Sequence, residues 1–262
     1  TEAREHYIRW GQFTQVKLKF IKPVLSSKEI NANSVCTIAT AAGMGCGFIY
    51  KNRNDSGDKN LYVVTTNHIL SQSNLSTFIA TFNIRNNSRN NISRKAQFRV
   101  MGRDRLTDIM VGVYDPELPY NNTFKPDLSV FKSLKINLTS DYKIGEKIYT
   151  VGNITTIDNK SLLSGSIIDP QYSGDFTLGS TYSPESLLLD IKAEEGLSGA
   201  PIFKENDDSE VVGMILGAVQ NKKYTISLTS FLFENLVTNI ISRYVIFKDI
   251  YANNPTLLAA NT

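Results

Sequence analysis

From about position 34 onward, apolar residues occur in short runs rich in β-branched and aromatic side chains, and clusters of Gly, Asn, Ser and Asp separate the runs. Runs of this length bounded by such clusters are typical of β-strands. Their spacing favours an all-β sandwich or barrel over alternating strands and helices. The predicted strands are 34–41, 46–52, 61–66, 76–84, 96–102, 108–115, 146–153, 162–170, 186–191, 200–203, 211–219 and 224–228.

Two later segments depart from this strand pattern. Residues 116–142 are poor in strand residues and contain three prolines, so we expect them to connect two halves of the molecule. After Leu228 the apolar positions recur at helical spacing, and Thr229 or Ser230 is suited to cap the start. The sequence therefore predicts a C-terminal helix whose apolar face packs on the second half.

Composition limits the classes of function. The chain has 262 residues, 41% of them hydrophobic and 20% charged, with a net charge of +3, as in an ordinary globular protein. No basic run indicates a nucleic-acid partner, and no apolar run is long enough for a membrane span. The only two cysteines, Cys36 and Cys46, make no disulfide framework and slightly favour an intracellular or virion-associated location.

A serine flanked by glycines is the first candidate for chemistry. Gly196-Leu197-Ser198-Gly199 precedes the apolar run PIF. A hydroxyl needs a neighbouring base to act as a nucleophile and backbone donors for the developing oxyanion. A glycine two residues before Ser198 lets its own N–H and that of Ser198 point to one place. The alternative is an ordinary Gly-Ser turn.

A base and an orienting acid are the other parts such a nucleophile needs. The chain has two histidines, and His68 directly follows a predicted strand. Asp108 stands at the start of the strand IMVGV, where a buried carboxylate can orient a histidine. Asp127 has a similar context and remains a rival. We prefer Asp108 because strand 96–102 and a short turn lead directly into it.

In the order His, Asp, Ser, these segments resemble the chymotrypsin-like superfamily, and in particular the protease domain of Deg/HtrA-type trypsin-like peptidases. The similar segments are GCGFIY, VVTTNHIL, FRVMGRDRLTDIMVGV, IGEKIYTVGN, LLLDIKAEEGLSGAPIF and YTISLTSFLFENLV, spread over about residues 34–240. The resemblance implies two six-stranded antiparallel β-barrels, a triad of His68, Asp108 and Ser198 in the cleft between them, a polypeptide substrate, and no metal or cofactor.

On this resemblance the chain divides into five segments. The first 30 residues form an N-terminal extension, which fits a helix or an extended arm and has no counterpart in the resemblance. The segments are 1–30 for the extension, 31–120 for the first β-barrel, 121–142 for the linker, 143–228 for the second β-barrel and 229–262 for the C-terminal helix and tail.

The resemblance also implies which residues bind the substrate. The specificity pocket is expected between Lys192 and Ala193 on one side and Leu216, Gly217 and Ala218 on the other. It is an apolar slot if Lys192 points to solvent, and an acidic preference follows if Lys192 points inward.

Leu197 replaces the Asp with which trypsins bind a new N-terminus, Cys46 replaces a serine, and no PDZ domain is expected. The hypothesis is a serine endopeptidase with an oxyanion hole of Gly196 and Ser198. The alternative is a catalytically inactive barrel that serves as a binding or structural (virion-type) module. The oligomeric state does not follow from the sequence.

Overall fold

A computed structural model of the chain describes residues 5–10, 14–19, 25–41, 43–52, 59–71, 75–86, 90–139, 141–153, 160–173, 186–192, 194–219 and 223–253. The predicted tail beyond residue 253 and the predicted pocket residue Ala193 lie outside these ranges. Among the described helices, none is both long and apolar enough to cross a membrane.

The first half of the chain closes into a six-stranded antiparallel barrel with strand order β3-β4-β5-β8-β7-β6. It is preceded by a separate two-stranded hairpin and a short helix. The elements are β1 (Glu5–Trp10), β2 (Thr14–Lys19), α1 (Ser27–Asn33), β3 (Val35–Thr40), β4 (Gly43–Tyr50), β5 (Tyr62–Thr66), α2 (His68–Ser71), β6 (Thr77–Arg85), β7 (Asn91–Asp104) and β8 (Ile109–Tyr114).

The second half closes into another six-stranded antiparallel barrel, ordered β10-β11-β12-β16-β15-β13. The connection contributes a parallel pair, β9 with β14, and a long helix follows the barrel. The elements are α3 (Pro119–Phe124), a 3₁₀ turn (Leu128–Val130), β9 (Lys135–Ile136), β10 (Lys147–Asn153), β11 (Lys160–Tyr172), β12 (Ser186–Leu189), β13 (Pro201–Lys204), β14 (Glu210–Val211), β15 (Gly213–Val219), β16 (Tyr224–Thr229) and α4 (Ser230–Asn253).

The predicted fold class is confirmed: two closed antiparallel barrels of the chymotrypsin-like type with a C-terminal helix. The helix α4 packs back over the first barrel as well. Phe233 meets Phe48 edge to face at 6.1 Å, and the buried Glu234 accepts a hydrogen bond of 2.9 Å from the Tyr50 hydroxyl. The apolar positions of this helix predicted packing against the second barrel.

Alternate residues of the strands β4, β5 and β8 are buried on opposite faces. Ile49 and Val63 belong to the core inside the first barrel, whereas their neighbours Phe48 and Val64 belong to a core shared with the second barrel. A strand buried on both faces reads as a continuous apolar run, because its side chains alternate between two cores. These three strands therefore form the wall where the two barrels meet.

The short helix α1 connects the two barrels. The Asn31 Nδ2 donates to the Tyr149 hydroxyl (3.1 Å) and to the Asp208 carbonyl (2.7 Å), both in the second half. Asn33 exchanges two hydrogen bonds with the Arg85 backbone of the first barrel, at 2.9 and 2.7 Å. A capping box between Ser26 and Glu29 begins the helix.

Candidate active site

Strand pairing brings His68 and Asp108 together. The strands β5 and β8 are antiparallel neighbours, with Thr66 opposite Ile109. His68 follows the end of β5, and Asp108 immediately precedes β8. Two side chains separated by 40 positions therefore meet at one end of the same ladder.

The Asp108 carboxylate holds His68 at two points. Its Oδ1 accepts from the His68 backbone N–H at 2.8 Å, and its Oδ2 lies 2.5 Å from Nδ1. The Asp108 side chain is 8% exposed, whereas the His68 side chain is 33% exposed. A carboxylate at Nδ1 favours the tautomer with its proton there, which leaves the lone pair of Nε2 available to accept a proton.

Asp127 occupies a different environment. It is exposed and caps the 3₁₀ turn, where it accepts from the Ser129 hydroxyl at 2.6 Å and the Ser129 N–H at 3.0 Å. These two hydrogen bonds lower the pKa of its carboxyl below the usual value. The structure thus places Asp108, and not Asp127, against His68.

Two glycines with positive φ shape the loop that carries Ser198. Gly196 has φ 95° and Gly199 has φ 85°, in the left-handed region that favours glycine. The Gly199 N–H donates to the Ile215 carbonyl (2.8 Å), and the Ser198 carbonyl accepts from the Cys46 N–H (2.7 Å). The loop is therefore bonded to both barrels.

Two N–H groups of the nucleophile loop make no backbone hydrogen bond among the described residues. Within the described part of the chain, the N–H groups of Gly196 and Ser198 donate to no backbone acceptor, although the neighbouring amides of Leu197, Gly199 and Ala200 all do. Unused N–H groups on residues i and i+2 of a tight turn can stabilise an anion.

The Ser198 hydroxyl donates to the Leu216 carbonyl oxygen at 3.2 Å. That carbonyl is turned toward the serine at a bulge in β15, where the pairing register shifts between Ile215 and Gly217. The sequence analysis assigned Leu216 to the pocket wall but missed its carbonyl as a partner of Ser198. No sequence signal indicates the bulge apart from Gly217, since β-bulges have no fixed motif.

The predicted pocket residues differ in exposure. The Lys192 side chain is 80% exposed and its Nζ lies 3.1 Å from the Glu194 carboxylate. Gly217 and Ala218 are half-buried, whereas Leu216 is buried in the core between the barrels. Lys192 therefore points to solvent in this structure.

The strand β4 packs between the histidine and serine segments. A Cβ added at Gly45 would overlap the Ile69 side chain, next to His68, and would lie 3.0 Å from the Ser198 carbonyl oxygen. Only a residue without a side chain lets both segments approach the strand this closely. Within the described residues, no group of His, Cys, Asp and Glu side chains is arranged to bind a metal ion.

Two closed barrels with an Asp-bound histidine and a Gly-flanked serine at their junction define the trypsin-like class of two-barrel proteins. The chain belongs to the family of the trypsin-like peptidase domain, which its residues 45–214 match. No curated protein matches the sequence.

Solved structures of Deg/HtrA-type proteases are among those similar to the chain. An inactive form of Rv3671c from M. tuberculosis H37Rv has 18% sequence identity and a TM-score of 0.57, covering 85% of this chain and 98% of that one. Deg5 has 16% identity and a TM-score of 0.57, covering 80% and 88%. AlgW, an HtrA-type protease solved with a tripeptide, has 16% identity and a TM-score of 0.59, covering 84% and 64%. At this identity the likeness establishes the fold.

Proposed function

We propose that this member of the trypsin-like peptidase family is a serine endopeptidase that cleaves polypeptides through an acyl-enzyme. Ser198 is the nucleophile, His68 the general base and Asp108 the group that orients the histidine. The N–H groups of Gly196 and Ser198 form the oxyanion hole. The observation that carries the proposal is the two-point contact between Asp108 and His68.

The reaction follows from these roles. The Ser198 Oγ attacks the carbonyl carbon of the scissile peptide bond, and its proton passes to the His68 Nε2. The two N–H groups receive the resulting oxyanion. The C–N bond then breaks, and the proton on His68 goes to the leaving amine. Water attacks the acyl ester with His68 again as base, which releases the acid and restores the Ser198 hydroxyl.

The present direction of the Ser198 hydroxyl is compatible with this role. In the free protein the hydroxyl donates to Leu216, and a rotation about its Cα–Cβ bond redirects it. Catalytic hydrogen bonds are often absent or long before substrate binds. In the rotated form the hydroxyl donates to the His68 Nε2, and its oxygen faces the carbonyl carbon of a substrate bound in the oxyanion hole.

Substrate preference at the residue before the cut is proposed to be apolar. The resemblance assigns Lys192 and Ala193 to one wall of the pocket, and Leu216, Gly217 and Ala218 to the other. Full burial of a Val or Leu side chain in such a slot contributes about 1.5–3 kcal/mol. The exposed Lys192, paired with Glu194, supports an apolar rather than an acidic preference.

A peptide-library scan at that position tests the pocket. We expect the highest kcat/KM for Val or Leu, with Lys192→Ala changing it little. A preference for Glu or Asp that disappears in Lys192→Ala would reverse the assignment, and strong cleavage after Arg would show that the pocket is elsewhere.

The activity is tested by digestion of an unfolded polypeptide with the wild-type protein and with Ser198→Ala. We expect cleavage by the wild type and none by the variant, both being folded by circular dichroism. Equal absence of cleavage, with no covalent labelling of Ser198, would favour the catalytically inactive barrel that serves as a binding or structural module.

A further inference from the structure

Cys46 lies where the first barrel touches the nucleophile loop of the second. It is fully buried on β4, and it belongs to the core shared by the two barrels. Its backbone bonds to both barrels. The N–H donates to the Ser198 carbonyl at 2.7 Å, and the carbonyl accepts from the Thr65 hydroxyl at 2.6 Å. The side chain of Cys46 is thus placed next to the Ser198 loop.

The thiol of Cys46 makes a further contact with the same loop. Its Sγ lies 3.0 Å from the Gly196 carbonyl oxygen, to which the S–H donates. The Gly196 carbonyl lies in the peptide plane shared with Leu197, so the thiol anchors that plane, and the φ and ψ of Gly196 set the direction of its own N–H relative to it. A glycine has no side chain to restrict these angles, so the restraint has to come from a neighbour.

The surrounding packing keeps the thiol in this position. A Cβ added at Gly152 of β10 would lie 3.2 Å from the Cys46 Sγ and within 3.5 Å of the Ala200 Cβ. The second barrel therefore packs against the sulfur, and the absence of a side chain at Gly152 leaves space for it.

We propose that Cys46 is a positioning residue for the oxyanion hole, acting through the Gly196 carbonyl. The inference rests on the proposed function, since it assigns Cys46 to the same reaction. This proposed role distinguishes Cys46 from an ordinary buried cysteine. A core cysteine contributes packing alone, whereas Cys46 holds a backbone group of the site.

Cys36 provides the matched control. It is also buried, and it lies on the adjacent strand β3, but it belongs to the core inside the first barrel. Neither cysteine forms a disulfide. Cys36→Ala and Cys46→Ala remove the same atom from neighbouring strands, and only the second removes a contact with the Ser198 loop.

The experiment measures the rate at which a fluorophosphonate labels Ser198 in the wild type, Cys46→Ala, Cys46→Ser and Cys36→Ala. We expect Cys46→Ala to react about tenfold more slowly, because the part-buried Gly196 carbonyl loses this donor. Cys46→Ser restores the rate to within about threefold, because a hydroxyl donates to the same carbonyl. Cys36→Ala keeps the wild-type rate.

Two further readouts separate positioning from packing. With a peptide substrate, Cys46→Ala is expected to lower kcat while KM changes less than about twofold. The midpoint of the pH–rate profile stays at the wild-type value, because the thiol contacts the oxyanion loop and not the His68–Asp108 pair.

Several results would overturn the assignment while leaving the proposed function intact. These are a wild-type rate in Cys46→Ala, an equally slow Cys46→Ser, or a Cys46→Ala that does not fold when Cys36→Ala does. A folded wild-type protein that is not labelled at all is a different result, because it contradicts the proposed function itself.

Discussion

The backbone of Asp108 has φ 61°, in the left-handed region that most residues with a side chain avoid. Asp and Asn tolerate this region better than other residues do. The conformation is held from two sides, since the Asp108 carbonyl accepts from the Asn67 N–H at 2.8 Å and its carboxylate accepts from His68. The local backbone therefore selects a short polar side chain, and the proposed role of orienting His68 calls for a carboxylate there.

Asp108→Asn tests this reasoning without disturbing the backbone. We expect kcat to fall by about three to four orders of magnitude, because an amide favours the wrong histidine tautomer and leaves the imidazolium unpaired. Asp127→Asn is the matched control and should change kcat less than about twofold, since this exposed side chain caps a turn at Ser129. Steady-state kinetics measure kcat for both variants. A larger loss of kcat in Asp127→Asn than in Asp108→Asn would assign the acid of the triad to Asp127.

The nucleophile loop depends on the absence of a side chain at Gly199. Gly199 and Gly145 have nearly the same φ, 85° and 82°, but their surroundings differ. A Cβ at Gly199 would overlap the Cys46 carbonyl oxygen, whereas a Cβ at Gly145 would meet nothing within 4 Å. Alanine substitutions at these two glycines therefore distinguish the cost of backbone strain from the cost of steric overlap.

Gly145→Ala is expected to lower the free energy of unfolding by about 1–2 kcal/mol, the cost of a side chain in the left-handed region. Gly199→Ala adds the overlap and should cost about 2–5 kcal/mol, with slower labelling of Ser198. Urea denaturation measures both. Equal losses in the two variants would show that the loop can move away from Cys46.

The helix α1 is the element that joins the barrels on another side. Burial, the largest cause, raises the pKa of the Tyr149 phenol, so it remains protonated and donates to the Asp208 carboxylate at 3.0 Å. The same hydroxyl accepts from Asn31. Helix and barrel are thus joined through a buried polar network, in which unpartnered groups are costly.

Asn31→Ala removes the hydrogen bonds of Asn31 to the Tyr149 hydroxyl and to the Asp208 carbonyl. We expect it to lower the free energy of unfolding by about 1–3 kcal/mol. The exposed Asn122 on α3 is the control, for which an Ala substitution should stay within about 0.5 kcal/mol. Thermal or urea unfolding of the two variants provides the comparison. A neutral Asn31→Ala would mean that α1 is not needed to hold the barrels together.

In the molecule as a whole, the strands of the two barrels and the closing helix could be predicted because their residue types and periodicity are local. The first helix could also have been predicted, since Ser26 and Glu29 have the spacing of a capping box. The sequence analysis left that segment within an unassigned N-terminal extension.

Other features depend on contacts between distant positions. Whether Asp108 or Asp127 faces His68 depends on the β5–β8 pairing, and the thiol of Cys46 meets Gly196 across 150 positions. The direction of the Ser198 hydroxyl depends on a bulge in β15. Residue types along the chain do not determine such contacts, because they arise only when each barrel has closed and, for Cys46, when the two barrels have packed together.

Covalent labelling with a fluorophosphonate, read by intact mass and peptide mapping, tests whether Ser198 is an activated nucleophile. We expect one adduct on Ser198 in the folded wild-type protein and none in Ser198→Ala, with labelling greatly slowed in His68→Ala because the base is lost. A folded wild-type protein that stays unlabelled at neutral and mildly alkaline pH, or an adduct on another residue, would contradict it.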